Sequence, residues 1–288
     1  MKVKTILLVL AVQGVLEATA GNYTWQSGTG DIEYETATNW NPAGPPTASD
    51  TILAPAGEST ARLNANQSVS AFNGAADGHQ LTLDLNGHDF TLAGSSVFAI
   101  QYKSKGFCSR EHWKYDLPTT TYTVKGPGNF LSPGGAKLLF QPMNLNMGEG
   151  GLRVTHGATV RLRLYPAWRN ASRIRIDDNG VWDPCENFNM NQSTDSWEWD
   201  RGTGFVLVED GGLLAATNCC VCTCSDNWLH VMDGGTAVIN KLRISDATSG
   251  SRVFNGRAVV SNGVLDVRTE IKLGGTKADS STPNLYVC

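Results

Sequence analysis

Acidic and aromatic side chains are concentrated in one segment, residues 181–202 (VWDPCENFNMNQSTDSWEWDRG). Two carboxyl groups that flank a sugar linkage can act as acid and base, and tryptophan rings can stack on sugars. The candidate catalytic residues are Asp183, Glu186, Asp195, Glu198 and Asp200, and the candidate glycan-contacting residues are Trp182, Trp197 and Trp199. Spacing alone brings no two of these carboxylates together, so an exposed acidic loop is favoured over a catalytic one.

Four of the seven cysteines lie within residues 219–224 (CCVCTC). Thiolate coordination of a metal needs ligands that converge from both sides of a strand, and the sequence therefore predicts no metal site and no cofactor. Cysteines two apart on a strand point the same way, which disfavours a disulfide between them. Longer-range bridges remain open, and the candidate disulfide cysteines are Cys108, Cys185, Cys219 and Cys224.

The acidic pair Asp177-Asp178 has a simpler interpretation than chemistry. It aligns with Glu209-Asp210 and with Asp233, each of which stands just before a glycine. Aspartate and asparagine favour turns, so these residues are predicted to form turns, with calcium binding as the alternative.

The first twenty residues (MKVKTILLVLAVQGVLEATA) have the pattern of a secretory signal peptide cleaved after Ala20. The sequence has no later apolar run long enough to cross a membrane as a helix. The net charge is −4, and no basic stripe suggests nucleic acid as a partner. We therefore expect an exported protein, secreted or held at the cell surface.

Strand-like alternation and glycine turns dominate the rest of the chain. Residues 81–85 and 159–165 alternate apolar and polar side chains, which predicts strands with one buried face. Turns recur every 20–30 residues or so, a period typical of stacked repeats; they end at Gly151, Gly180, Gly212, Gly235 and Gly263.

These patterns predict an all-β fold, a right-handed parallel β-helix with an atypical N-terminal capping coil. The predicted organisation is a signal peptide at 1–20, the cap and first coil at 21–60, and solenoid repeats at 61–288. A β-sandwich or jelly roll is the alternative, because it also has short strands at regular spacing.

The repeat register assigns the cysteines to faces. Residues 265–274 align with 237–245 as two short strands separated by a kink. In the same alignment Cys219 faces outward, whereas Cys220 and Cys222 take the core positions of Leu242 and Ile244. We therefore expect Cys220 and Cys222 to act as small core hydrophobes.

The N-terminal pattern resembles that of secreted bacterial β-solenoid proteins similar to autotransporter passenger domains and surface adhesins. The matching residues are Trp25, Gly28, Gly30, Asn39, Trp40, Pro45, Pro46 and Asp50, with later turns at 234–238 and 262–267. The resemblance implies a surface architecture and no common catalytic motif. The terminal membrane barrel of autotransporters is missing, so the chain is expected to be a fragment whose solenoid continues beyond Cys288.

The sequence thus favours an exported, surface-associated solenoid with a structural or adhesive role and no catalysis. Expected partners are extracellular glycans or cell-surface components. The alternatives are a β-helix carbohydrate-active enzyme, either a polysaccharide lyase or a glycoside hydrolase, and a glycan-binding module that uses residues 182–200.

Overall fold

The structure is a computed structural model, and its strands are almost all parallel. It describes residues 20–26, 32–53, 58–73, 80–95, 97–102, 120–142, 149–164, 171–185, 187–190, 205–221, 227–244, 256–274 and 284–288. Within these residues there is no α-helix, and the prediction of an all-β protein is confirmed.

Two long parallel sheets account for most of the strands. In what we call the leading sheet, the strands are β4 (Ser59–Arg62), β7 (Gln80–Asp84), β10 (Thr120–Lys125), β13 (Glu149–Thr155), β16 (Ala171–Ile176), β19 (Phe205–Val208), β21 (Asn227–Met232), β23 (Gly256–Ser261) and β25 (Asn284–Val287). In the trailing sheet, they are β5 (Gln67–Val69), β8 (Asp89–Leu92), β11 (Gly128–Leu131), β14 (Ala158–Arg161), β17 (Val181–Asp183), β20 (Leu213–Val221), β22 (Thr236–Ile244) and β24 (Val264–Leu273), and β18 (Asn187–Met190) pairs with β20.

Two smaller sheets complete the described fold. A three-stranded parallel sheet contains β9 (Val97–Tyr102), β12 (Lys137–Pro142) and β15 (Arg163–Leu164). A four-stranded N-terminal sheet contains β1 (Asn22–Trp25), β2 (Trp40–Asn41), β3 (Thr51–Leu53) and β6 (Ala71–Asn73). Among the described strands, antiparallel pairing is confined to β1 and β2, which disfavours a β-sandwich or jelly roll.

The chain alternates between the two long sheets. Each leading strand from β4 to β23 is followed by a trailing strand, and the next leading strand pairs in parallel with the previous one. We call one leading strand and its following trailing strand a rung. This alternation is compatible with a β-solenoid.

Inward-facing side chains repeat from rung to rung and form the core. On the leading sheet, alternate residues form two hydrophobic columns of less than 10 % exposure: Leu81, Tyr122, Leu152, Ile174, Val206, Leu229 and Ala258 in one, and Leu83, Val124, Val154, Ile176, Val208, Val231 and Val260 in the other. Burying one such side chain contributes about 1.5–3 kcal/mol, so stacking like on like stabilises every pair of neighbouring rungs.

A ridge of tight turns joins the leading strands to the trailing strands. Five of these turns place two successive residues at positive φ: Asn86-Gly87, His156-Gly157, Asp178-Asn179, Asp210-Gly211 and Asp233-Gly234. Glycine, asparagine and aspartate tolerate this conformation best. Neighbouring turns also bond to one another, as in the 3.0 Å hydrogen bond from the Asp210 amide to the Asp233 carbonyl.

The predicted turns ending at Gly180, Gly212, Gly235 and Gly263 are confirmed. At Gly235 an added Cβ would lie 2.2 Å from the Val208 carbonyl oxygen, so the close approach of the preceding rung requires glycine there. The turn predicted to end at Gly151 is wrong, because Gly151 lies inside β13 and that rung turns at His156-Gly157.

The N-terminal sheet is packed around aromatic rings. Trp40 contacts Trp25 and Tyr34 edge to face, with ring centroids 5.0 and 4.8 Å apart. Its indole Nε1 donates to the Tyr34 carbonyl at 2.6 Å. Tyr34 also contacts Phe90 of the trailing sheet, so the cluster is continuous with the core of the two long sheets. The predicted boundary at residue 60 stays a prediction, although β6 extends the N-terminal sheet to Asn73.

Asp50 holds the start of this sheet in place. Its carboxylate accepts hydrogen bonds from the Gly21 amide, the Thr47 amide and the Thr47 hydroxyl, each at 2.7 Å. Burial alone would raise the pKa of Asp50, but these hydrogen bonds outweigh it and hold the pKa below its usual value. The ionised form is therefore the one that the folded protein stabilises.

We predict that Asp50→Asn lowers the free energy of unfolding at neutral pH by about 1–3 kcal/mol, because the new amide group faces donors. Since the folded-state pKa lies below the unfolded value of about 3.9, the advantage of the wild type is complete above that pH. It disappears as the pH falls through the folded-state pKa. Urea unfolding of the wild type and of Asp50→Asn at a series of pH values measures the difference in the free energy of unfolding. Glu58→Gln, which changes an exposed carboxylate, serves as the control. A difference that stays constant down to the lowest pH at which the protein folds contradicts the prediction.

Candidate functional site: the outer face of the leading sheet

Charged and aromatic side chains line the outer face of the leading sheet. We call this set the outer strip: Arg153, Arg173, Arg175, Phe205, Trp228, His230 and Arg257. The register aligns Arg173, Phe205, Trp228 and Arg257 in one column and Arg153, Arg175, Leu207 and His230 in the adjacent one. Residues from five successive rungs are thus brought onto one surface.

A buried carboxylate anchors one edge of the outer strip. The side chain of Asp177 is only 3 % exposed and lies between two arginines. Arg153 Nε donates to Oδ1 at 3.2 Å and to Oδ2 at 3.0 Å, and Arg175 Nε lies 2.8 Å from Oδ2. Arg175 also pairs with Glu209 of the next rung. The charges therefore alternate across three rungs and fix the directions of both arginines.

An aromatic cluster occupies the other end of the outer strip. The His230 ring contacts Phe205 and Trp228 edge to face, with both centroid distances at 5.0 Å. The guanidinium carbon of Arg257 lies 4.4 Å from the centroid of the Trp228 ring, which is within cation–π range. Phe205, Trp228 and Arg257 are half-buried and still reach the surface.

His230 contributes ring surface and no positive charge at neutral pH. It is 8 % exposed, and burial lowers its pKa to about 4. The positive charge of the outer strip therefore comes from arginines, which stay ionised at all physiological pH values.

The side chains on this face include groups that can recognise a ligand. Arginines offer bidentate donors to carboxylate, sulfate or phosphate groups, and aromatic rings offer apolar faces to sugar rings. The buried carboxylate, Asp177, is already bound by two arginines, so it is poorly suited to exchange a proton with a ligand. The arrangement fits an extended anionic ligand better than a reacting one.

The segment 181–202 contributes only part of its predicted site to the described structure. Asp183 ends β17, its Oδ1 accepts from the Cys185 amide at 2.8 Å, and Oδ2 lies 3.7 Å from Arg161. These contacts give Asp183 a turn-forming role on the trailing sheet. The other candidates, Glu186, Asp195, Glu198, Asp200, Trp197 and Trp199, lie outside the described residues, and the catalytic hypothesis for them stays a prediction.

Trp182 is a core residue. Its side chain is 0 % exposed, lies between Val160 and Leu214 on the neighbouring strands, and donates from Nε1 to the Leu162 carbonyl at 3.1 Å. The prediction that Trp182 contacts a glycan is therefore wrong, because no face of the indole reaches the surface.

The outward assignment of Cys219 is also wrong. The register aligns Cys219 with Leu242, one residue away from the predicted alignment, and Cys219 is 1 % exposed. Cys220 instead aligns with Arg243, so it does not take the predicted core position of Leu242. The cysteine-rich strand β20 still contributes a thiol to the core, next to Leu242 of the following rung.

The disulfide hypothesis stays a prediction. Cys185 is exposed at the turn after β17, whereas Cys108, Cys222 and Cys224 lie outside the described residues. Within the described part of the chain, no three histidine, cysteine or acidic residues are grouped so that they could hold a metal ion.

The predicted turn role of Asp177 and Asp178 is confirmed in part. Asp178 occupies the tight turn at a φ of 45°, but Asp177 just before it forms the two-arginine contact of the outer strip. In RIRID (173–177), Arg175 and Asp177 are two residues apart, which was the available sequence signal for half of this contact; Arg153 reaches Asp177 from the preceding rung. The aromatic members were not recognisable, because they come from rungs separated by insertions of different lengths.

We predict that Asp177→Asn destabilises the protein by about 3 kcal/mol, the lower end of the cost of breaking a buried ion pair, because the arginines remain about one-third exposed. The matched control is Asp183→Asn. Asp183 is partly exposed and its Oδ1 contact survives in asparagine, so we expect a change below about 1 kcal/mol. Urea denaturation measures both, and equal losses in the two variants refute the special role of Asp177.

No helix in the described residues is long and apolar enough to cross a membrane. Comparisons of the chain with protein-family models, with curated proteins and with solved structures each gave no match.

Proposed function

We propose that this protein is an exported, surface-associated right-handed parallel β-helix with a structural or adhesive role. The alternation of leading and trailing strands supports the helix, and parallel crossovers are right-handed in about 98 % of proteins. The signal-like N-terminus and the resemblance to surface solenoids support export. The observation that carries an adhesive role is the arginine and aromatic strip on one rigid sheet.

The adhesive contact is an acidic extracellular glycan bound along the outer strip. Neighbouring strands of a sheet are about 4.7–4.9 Å apart, so the column Arg173, Phe205, Trp228 and Arg257 presents a side chain at each step along the solenoid axis. A polysaccharide lying along that axis meets cations at both ends and rings between them. Uronate or sulfate groups bind the cations, and the apolar sugar faces lie on the rings.

Preorganisation favours binding on this surface. Arg257 is already placed over Trp228, and Asp177 already fixes Arg153 and Arg175. Side chains that are ordered before a ligand arrives lose less entropy on binding. A regular backbone ladder holds their spacing, because every member lies on a strand and none on a loop.

We predict that the protein binds polygalacturonate. The variants Trp228→Ala and Arg257→Gln should each raise the dissociation constant by roughly tenfold or more. The first removes a ring face, and the second removes a charge-assisted contact worth about 1.5–3 kcal/mol. Isothermal titration calorimetry measures the affinity, with circular dichroism to check folding. Arg161→Gln, on the trailing sheet, is the matched control and should bind like the wild type.

The ligand and the pH provide two further controls. Fully methyl-esterified polygalacturonate keeps the sugar rings and loses the charges, so it should bind weakly. Affinity should not strengthen from pH 7.5 to 5.5, because the pKa of His230 is near 4 and its ring stays neutral in that range. Equal affinity for both polymers, or no effect of either strip variant, contradicts the proposal.

One contact of Gly21 is compatible with cleavage of a signal peptide after Ala20. The Gly21 nitrogen lies 2.7 Å from Asp50 Oδ1, so cleavage after Ala20 would place the new terminal ammonium group directly against this carboxylate. An ion pair there would fasten the first strand to the N-terminal sheet.

We predict that the protein recovered from the medium or cell surface of a secreting host begins at Gly21. Intact-mass spectrometry and N-terminal sequencing identify the first residue. Retention of residues 1–20, or cleavage at a site that leaves Gly21 internal, contradicts the prediction.

A further inference from the structure

An apolar cavity lies where the N-terminal sheet meets the first rungs of the two long sheets. Strands β1, β2, β3 and β6 line it on one side, and strands β4, β7, β8 and β10 line it on the other. Every lining residue except Thr82 is less than 10 % exposed, so the cavity is in the interior of the protein. Its aromatic wall consists of Trp25, Tyr34, Trp40, Phe72, Phe90 and Tyr122.

Two tyrosines bring hydroxyl groups to this apolar wall. Tyr34 is 1 % exposed, and its buried Oη has no hydrogen-bond partner among the described residues. A buried hydroxyl without a partner is costly, so folded proteins nearly always supply one, either a protein group or an ordered water. The second hydroxyl belongs to Tyr122 of β10, which is also 1 % exposed.

The two tyrosines come from distant parts of the chain and meet at the cavity. Tyr34 contacts Trp40 and Phe90 edge to face. The Tyr122 ring reaches past the rung of β7 and β8 to Phe72 of β6, with ring centroids 5.3 Å apart. The two side chains therefore approach the cavity from the N-terminal segment and from the third rung.

Both hydroxyl groups stay protonated at neutral pH. Burial raises the pKa of Tyr34, and the neighbouring Tyr122 raises it further. Burial also raises the pKa of Tyr122. A protonated tyrosine hydroxyl donates one hydrogen bond and has lone pairs to accept others. Each tyrosine can therefore bind a neutral molecule that both donates and accepts.

The cavity is large enough for a single water molecule. About 20 Å³ of it can be occupied by the centre of a water, and holding one water takes at least about 10–15 Å³ by this measure. Cavities with purely apolar walls stay dry, whereas a buried water is stable where it has about two to four polar partners. The hydroxyls of Tyr34 and Tyr122 meet this requirement.

We propose that one ordered water molecule occupies this cavity and bridges the hydroxyl groups of Tyr34 and Tyr122. The water gives Tyr34 Oη the partner that the described residues do not supply. Tyr122 can bind it even where its hydroxyl also serves another group, because one hydroxyl makes several hydrogen bonds.

The bridge adds a directional contact to an otherwise apolar junction. It connects Tyr34, which precedes β2, to β10 of the third rung, and it passes the two rungs between them. Apolar packing is non-directional, whereas a fully bonded buried polar network favours one arrangement of its members. The water therefore fixes how the N-terminal sheet sits on the stack of rungs.

The direct test counts and locates internal waters in the full chain. Magnetic relaxation dispersion of oxygen-17 water counts the molecules that stay inside a protein for longer than it tumbles, and a crystal structure locates them. We expect electron density for one water between Tyr34 and Tyr122. The double variant Y34F/Y122F should hold one long-lived water fewer. The control is Tyr23→Phe, which removes a half-buried hydroxyl outside the cavity wall and should keep the wild-type number.

Stability provides a second measurement, by urea denaturation of the wild type and the same variants. Tyr34→Phe and Tyr122→Phe each remove a hydrogen bond to the water, so each should lower the folding equilibrium constant about two- to tenfold. Because both hydroxyls bind the same molecule, the loss in the double variant should be smaller than the product of the two single losses. Tyr23→Phe should unfold like the wild type.

Three results overturn the proposal. An empty cavity, with Tyr34→Phe at least as stable as the wild type, would show that the fold tolerates the Tyr34 hydroxyl without a partner. An unchanged number of waters in Y34F/Y122F, with non-additive stability, would indicate a direct hydrogen bond between the two hydroxyls. Additive losses with an unchanged number of waters would assign the hydroxyls to separate partners.

Discussion

The fold depends on hydrogen bonding between successive rungs, because parallel strands obtain their backbone partners only from the rungs before and after them. That requirement fixes the register, and the register then determines which side chains share a column. Columns of hydrophobic side chains fill the interior, and the tight turns bond along their own ridge. Where two backbones lie close together, as at Gly235 and the Val208 carbonyl, a side chain would break the register on which the columns depend.

Much of this register could be predicted from the sequence where the turns are unambiguous. The alignment of 237–244 with 265–273, including the kink, agrees with the structure, because Asp-Gly-Gly and Asn-Gly mark the start of both strands. The same reasoning failed at Cys219. The buried positions on either side of the kink are three residues apart in β22 (Ile239 and Leu242), whereas the aligned positions in β24 (Val267 and Ile271) are four apart. In β20 the cysteines at inward and outward positions are the same residue type, so the sequence does not show which spacing applies. The prediction of a turn at Gly150-Gly151 was wrong for a related reason. Two glycines before a leucine precede β20 as a turn but lie inside the strand in β13.

The candidate site was harder to predict than the fold, because it exists only across rungs. Arg173 and Arg175 are close in sequence, but Phe205, Trp228 and Arg257 reach them only through the pairing of four strands. The high local density of acidic residues and tryptophans instead predicted a site in residues 181–202. Trp182 shows why that signal is ambiguous: in a protein built from narrow rungs, a large ring next to polar neighbours can still be the residue that fills the interior.

The N-terminal sheet is held to the stack of rungs by aromatic packing and by the Asp50 contacts. In a structure whose rungs contact mainly their nearest neighbours, each rung is supported only by the rungs on either side of it. Under a pulling force such a stack would therefore unfold one rung at a time and release chain length in small steps.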